Sequence, residues 1–452
     1  MARPIGIDLF AGAGGLSLGF EQAGFDIVAA VEIDPIHAAV HEYNFPFCKM
    51  IAMSVSALTG TQLRQYAGIE DREIDVVFGG PPCQGFSLIG HRALDDPRNS
   101  LVNDFLRLVS ELKPKYFVFE NVKGITVGRH RQLLEELIEI SRSYGYEIRL
   151  PWRVLNAADF GVPQHRERLI LLGARSDLRL PNYPSPVCKP SDSAMVSSLP
   201  LGPTCADALS DLPDAEGFEE LEFTDEVPVT MPPAASSFAR EMRCVDSDAW
   251  HSGIVRNWES GVLTSSMRTD HSEISRWRFK STKPGTVEPI SRFFRLPENG
   301  LSNTLRAGTD SARGAFTSPR PIHYKFARCV TVREMARLHG FPDWFRLHGT
   351  KWHGARQIGN AVPPPLGRAV ASSVIGALGL RPRRSTKSIP LGDARLIRLN
   401  MMSAAGYFEV PMPIGKRDRK SFAKKRKQMP MNADEAELLL HPQLDFQEML
   451  SV

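Results

Sequence analysis

Residues 5–20 read IGIDLFAGAGGLSLGF. A short apolar run, Ile5 to Phe10, passes into a glycine-rich turn and then an amphipathic stretch, the pattern of a strand, a tight turn and a helix. Four more apolar runs follow: IVAAVEID (27–34), IDVVFGG (74–80), YFVFEN (116–121) and RLILLG (168–173). Helical spacing falls between them, as over 101–112 and 133–140. Strands alternating with helices predict a parallel, doubly wound α/β sheet. Each strand ends in polar or glycine residues, where such sheets hold their ligands.

After Gly173 the pattern fails, and residues 174–300 are rich in Pro and Ser with few clear periods. Regular character returns in RCVTVREMARLHGFPDWF (328–345), a helix candidate ending before Pro342. In QIGNAVPPPLGRAVASSVIGAL (357–378) a turn precedes a helix begun at the prolines. The reading is therefore a first catalytic part (1–173), a smaller irregular domain (174–327), a return to the catalytic domain (328–380) and a tail (381–452) expected to be disordered.

With 452 residues, 42% hydrophobic and 23% charged, the chain has the balance of a globular protein, which excludes a wholly disordered, collagenous or coiled-coil chain. No apolar run approaches the ~18 residues of a membrane span, and MARPIGIDLFAGAGG lacks the layout of a signal peptide. Cys48, Cys83, Cys188, Cys205, Cys244 and Cys329 form no C-x-x-C pair, which argues against a structural metal and a disulfide framework. A reducing, cytoplasmic setting is expected, with no metal. The net charge of +4 hides an asymmetry. Residues 1–380 carry 41 Lys+Arg against 43 Asp+Glu, residues 381–427 carry 14 against 3, and residues 428–452 none against 5. The basic run KRDRKSFAKKRK (416–427) could add salt-sensitive affinity for nucleic acid or merely solubilise the chain.

Gly12, Gly14 and Gly15 let the backbone approach a ligand closely; a plain tight turn is the alternative. The spacing F-A-G-A-G-G is not a dinucleotide fingerprint, and no basic residue nearby would meet phosphate. A cofactor without pyrophosphate fits better. Glu32, at the second strand's end, suits a ribose diol, though it and Asp34 could be a solvated strand end. Cys83 follows two prolines that fix its approach. It sits where strand gives way to loop, so an activated thiolate fits better than a packed thiol.

These segments resemble the DNA (cytosine-5) methyltransferase family. The family's ordered motifs appear as DLFAGAGGLSLGF (8–20), VEID (31–34), GGPPCQGFS (79–87), ENV (120–122), QHRER (164–168), REMARLHGFP (333–342) and QIGNAVPP (357–364). The resemblance implies a Rossmann-like domain using S-adenosylmethionine. It implies Cys83 as the nucleophile on cytosine carbon 6 and Glu120 as the acid at ring nitrogen 3, where attack places negative charge. Helix capping is the alternative role for Glu120. Arg166 and Arg168 alternate along a strand and so face one side. By resemblance Arg168 holds the cytosine carbonyl oxygen, while Arg166 steadies the catalytic loop and a phosphate; a salt-bridge ladder with Glu167 is the alternative.

The resemblance also implies cofactor contacts at Phe10, Gly12, Gly14, Gly15, Glu32, Ile33, Pro82, Leu101 and Asn360. Ser54 stands where the family usually has an Asp that binds the adenine amino group; a neutral serine oxygen accepts more weakly. The target base must be flipped out of its duplex, and residues 84–99 resemble the mobile loop that closes over it. Ser87 and Arg98 are candidate phosphate contacts there, or members of a solvated loop. The region 174–327 resembles a target-recognition domain, with Thr304, Leu305 and Arg306 as candidate DNA contacts. Two rivals are a catalytically dead relative and an RNA methyltransferase. The presence of Cys83 and Glu120 disfavours the first, and the large insert after QHRER disfavours the second. The expected setting is a bacterial modification enzyme acting on double-stranded DNA beside a cognate restriction endonuclease, monomeric and reaching the nucleoid through DNA. QIGNAVPP is expected to pack beside the first glycine turn.

Overall fold

The computed structural model describes residues 3–82, 99–128, 130–194, 196–309, 317, 319–382, 384–385 and 387–412. Eight strands form one sheet: β1 (Ile5–Leu9), β2 (Asp26–Val31), β3 (Lys49–Ile51), β4 (Val76–Gly79), β5 (Tyr116–Val122), β6 (Tyr146–Ile148), β7 (Arg153–Asn156) and β8 (Glu167–Arg175). Their order is β3-β2-β1-β4-β5-β8-β6, with β7 also on β8. The five strands from β3 to β5 are parallel. Strand β8 instead runs antiparallel to β5, β6 and β7, so the sheet is mixed where the sequence suggested a parallel one. The reason is local: β8 follows β7 through the short connection 157–166, which leaves no room for the crossover helix a parallel pair requires.

Side chains alternate across the sheet with a period of two. Val77, Phe117 and Phe119 face one layer with Ile5, Ile7 and Leu9. That layer is closed by α3 (Gly60–Ala67), α4 (Ser100–Leu112) and α5 (His130–Ser143). Val76, Phe78, Tyr116 and Val118 face the other, which holds α1 (Gly15–Ala23) and α2 (Pro35–Asn44). This second layer is continuous with apolar residues of the irregular region, among them Leu212, Leu221, Phe238, Trp250 and Leu263. The region's short helices α6 (Cys205–Leu209) and α7 (Ser237–Met242) thus share a core with the sheet, while α8 (Glu273–Ser281) sends Phe279 into a small separate cluster with Ile322 and Cys329.

The chain returns through α9 (Val332–Leu338), α10 (Lys351–Asn360) and α11 (Pro364–Ala377). The 328–345 candidate shortens to one stretch of seven residues. Thr331 and Glu334 form a reciprocal capping box at its start, and Gly340, at φ +81°, turns the chain before Pro342. Helix α11 begins at the prolines as expected. It packs on α1 with almost no spacing: a Cβ on Gly19 would lie 2.6 Å from the Arg368 nitrogen, so only glycine lets the two backbones meet.

The expected disordered tail needs correction over 387–412. Residues Ser388–Pro390 pair in parallel with Val255–Asn257. A further helix, α12 (Met401–Tyr407), is capped by Asn400 and sends Tyr407 Oη to Glu42 Oε1 on α2 at 2.5 Å. Gly392 N–H donates to the Tyr43 carbonyl. Residues 413–452, with the basic run, lie outside the described residues. No helix among the described residues is long and apolar enough to cross a membrane.

Candidate active site

At the end of β1 the chain enters the glycine turn with Phe10 at φ +68°, a left-handed conformation rare for a bulky residue. Gly12 (φ +56°) and Gly14 (φ +102°) continue the turn. A Cβ on Gly14 would strike the Phe45 ring at 2.5 Å, whereas one on Gly12 would meet nothing within 4 Å. Gly12 therefore faces open space, and that space is a cavity of about 830 Å³. Gly15 closes the turn against the Val362 carbonyl, 2.4 Å from where its Cβ would stand. The QIGNAVPP segment accordingly packs beside the glycine turn, and Asn360 lines the same cavity as Gly12.

Glu32 braces the turn. Its Oε2 accepts from Gly12 N–H at 2.8 Å and its Oε1 from Asp34 N–H at 2.9 Å. Burial raises its pKa, and His37 opposes that rise. Asp34 caps α2 by accepting from Ile36 and His37 N–H. Ile33 lines the cavity yet is 63% exposed, an apolar face open to a ligand. Ser54 also lines the cavity, with its Oγ accepting from Ser56 N–H at 3.3 Å. Phe10, Pro82 and Leu101 complete this wall. Gly14 is the one expected cofactor contact that does not line the cavity; it serves the turn instead.

Three buried polar atoms among the lining residues have no hydrogen-bond partner: Asp8 Oδ1, His37 Nε2 and Gln357 Nε2. Buried polar groups are normally satisfied, so these three point to a polar ligand. Burial lifts the Asp8 carboxyl to about 8, against the Ser17 hydroxyl that donates to its Oδ2 at 2.6 Å. A glycine backbone, a diol-matched carboxylate and orphaned polar atoms suit a nucleoside attached to a charged chain, the chemistry of S-adenosylmethionine.

The same cavity runs on to Glu120 and Arg168. In the β5–β8 register Arg168 lies opposite Val122, two residues from Glu120 and so on the same face. Arg168 Nε meets Glu120 Oε1 at 2.8 Å. A Cβ on Gly80 would stand 2.2 Å from Glu120 Oε2, so the second glycine of GGPP makes room for this carboxyl. Asn121 Nδ2 holds the Pro81 carbonyl at 2.9 Å, fixing the segment that leads to Pro82. Burial raises the Glu120 pKa, while Arg168 and Arg166 lower it. Cys83, Ser87 and Arg98 lie outside the described residues.

Two expectations need correction. Arg166 does not reach a phosphate: it is 0% exposed. Its guanidinium donates to the carbonyls of Leu305, Gly359 and Ala361 at 2.7–2.8 Å. Leu305 is 2% exposed, so its side chain is no DNA contact. Arg166 instead ties the 302–306 segment to QIGNAV, and a Cβ on Gly359 would lie 2.2 Å from the Ala307 nitrogen. Gln164 helps: its Oε1 accepts from Leu305 N–H while its Nε2 donates to the Leu338 carbonyl. Thr304 is exposed but gives its hydroxyl to the His165 carbonyl at 2.6 Å. Arg306 is exposed. Arg166→Lys, which restores one of three hydrogen bonds, should cost on the order of 3 kcal/mol in urea unfolding. Arg306→Ala should leave the unfolding free energy within about 0.5 kcal/mol of unchanged.

Asp8, His37, Gly80, Asn121 and Gln357 line the cavity without having stood out in the sequence. All but His37 lie inside the motifs quoted above; for Asp8 and Gly80 the signal was a titratable residue, or a second glycine, at a strand end.

The family model described as C-5 cytosine-specific DNA methylase matches residues 6–376. Type II methyltransferase M.XorII of Xanthomonas oryzae pv. oryzae is 56% identical over 410 residues, covering 91% of this chain and 93% of that protein. Type II methyltransferase M1.HphI of Haemophilus parahaemolyticus is 32% identical over 374 residues, covering 82% and 86%. Among solved structures, a DNA modification methyltransferase encoded within an E. coli prophage superposes with a TM-score of 0.67 at 33% identity, covering 83% of this chain and all of that one.

Proposed function

Since the chain belongs to the C-5 cytosine-specific DNA methylase family and is a DNA (cytosine-5) methyltransferase, we propose that it serves as the modification enzyme of a type II restriction–modification system, methylating a flipped cytosine through a covalent bond to Cys83. The observation that carries this reading is the continuity of the cavity. The glycine turn with Glu32, the Glu120–Arg168 pair and Pro82 all line it.

S-adenosylmethionine, bound along the Gly12–Glu32 side, supplies an electrophilic methyl group. Glu32 accepts from the ribose hydroxyls, and Ile33 and Phe10 offer apolar faces to the base. The Cys83 thiolate adds to cytosine carbon 6, and the displaced π electrons reach nitrogen 3, where Glu120 delivers a proton. Arg168, anchored on Glu120, directs its remaining N–H groups at the cytosine carbonyl oxygen. Carbon 5, now the electron-rich end of an enamine, would take the methyl group, the pair of the broken sulfur–methyl bond staying on the sulfur of S-adenosylhomocysteine. Nitrogen 3 then returns its proton to Glu120, and carbon 5 gives its own to solvent water. The sulfur–carbon bond breaks with its electrons returning to Cys83. Arg166 takes no part in these transfers; it ties the 302–306 segment to Gly359 and Ala361, which line the cavity. Residues 174–327 act as the target-recognition domain, with Arg306 exposed for DNA.

Bisulfite sequencing of a host expressing the chain tests this. The expected result is 5-methylcytosine confined to one short sequence, with resistance of that DNA to a methylation-sensitive endonuclease. Unmodified DNA, or methylation without a common sequence, contradicts it.

A further inference from the structure

Among the described residues His37 is the one imidazole that lines the cavity, and the mechanism above gives it no task. It sits in the first turn of α2, placed by Pro35 and by the Asp34 cap. The residue is 5% exposed, and its Nε2 is buried without a hydrogen-bond partner. Asp34 Oδ2 lies 3.9 Å away, beyond hydrogen-bond reach. Glu32 lines the same cavity. His353 and His348 make no hydrogen bond to the His37 Nε2. His353 turns to the Trp352 ring, and His348 is held by Thr350 and the Leu399 carbonyl.

Glu32 as a carboxylate can only accept, and each of its oxygens already takes one backbone N–H. It can receive both protons of a vicinal diol, but it gives the diol oxygens nothing. Those oxygens retain lone pairs that, once buried, call for a donor. The orphaned imidazole nitrogen, in the tautomer that carries its proton there, would supply such a donor to the same cavity. We propose that His37 donates to a ribose hydroxyl of the bound nucleoside cofactor, completing with Glu32 a donor–acceptor pair that selects a ribonucleoside over its deoxy form. This rests on the cofactor reading above.

Calorimetric binding of S-adenosylhomocysteine and its 2′,3′-dideoxy counterpart to the full chain tests it. His37→Ala should weaken S-adenosylhomocysteine about tenfold and leave the dideoxy compound bound as the unaltered chain binds it. His37→Gln, which keeps an N–H donor, should recover part of the loss. Should the alanine cavity unfold the chain, His37→Leu, similar in bulk and without nitrogen, replaces it in the comparison. Equal losses for both compounds, or no loss for either, overturn the assignment and make His37 a packing residue. Failure of the unaltered chain to bind either compound overturns the cofactor reading instead.

Discussion

Replacing Cys83 by alanine is expected to lower methyl transfer to DNA by about 10⁴-fold or more while cofactor binding stays as it was. Cytosine carbon 5 is a poor nucleophile until carbon 6 carries an added group. Without the thiol no other described cysteine supplies that addition. Cys48, Cys188, Cys205 and Cys329 are buried, and neither they nor Cys244 line the cavity. The cofactor wall is built from Phe10, Gly12, Glu32 and Ile33, none of which needs the sulfur. Titration with S-adenosylhomocysteine beside a methyl-incorporation assay separates the two. Retained incorporation in the alanine variant would remove the nucleophile from the account.

Glu120→Gln should cut kcat by about 10²–10⁴-fold and remove the alkaline limb of the pH profile. The sign follows from burial, which lifts the Glu120 pKa above the ordinary carboxylate value against the pull of Arg168 and Arg166. In the proposed reaction the protonated carboxyl is the form that donates to nitrogen 3. Activity is therefore held below the shifted pKa and declines as pH rises through it. Glutamine keeps the shape and the contact with Arg168 but has no proton to deliver in a catalytic step, so its residual rate should be flat across that range. An unchanged alkaline limb in the glutamine variant would assign it to another group.

Much of the cofactor side of the cavity is legible in the sequence, because its residues sit at strand ends, where apolar runs stop abruptly. The glycine turn, Glu32 and the GGPP segment all have that signature. Glu120 and Arg168 are each legible alone; their pairing depends on the β5–β8 register, a relation across strands that spacing along the chain does not encode. Arg166 shows the converse. A charged residue two positions from Arg168 reads as a second ligand for the site, yet burial against three carbonyls makes it a tie between segments 139 and 193–195 residues away in sequence. The antiparallel β8 is hidden for a similar reason, since its apolar run looks like that of a parallel strand. The folded stretch over 387–412 escapes because it is held against α2, the irregular region and the segment before α10, contacts that its own spacing does not encode. Few of its apolar positions repeat with a helical or strand period.

The most direct test of the covalent step is mass spectrometry of the chain after reaction with a duplex containing 5-fluorocytosine at the recognised position and S-adenosylmethionine. Fluorine on carbon 5 cannot leave as a proton does, so the sulfur–carbon bond should persist. The prediction is a stable protein–DNA adduct whose linked peptide contains Cys83 and which is absent from the alanine variant. A methylated duplex released without an adduct, or a linkage at any other residue, contradicts the account.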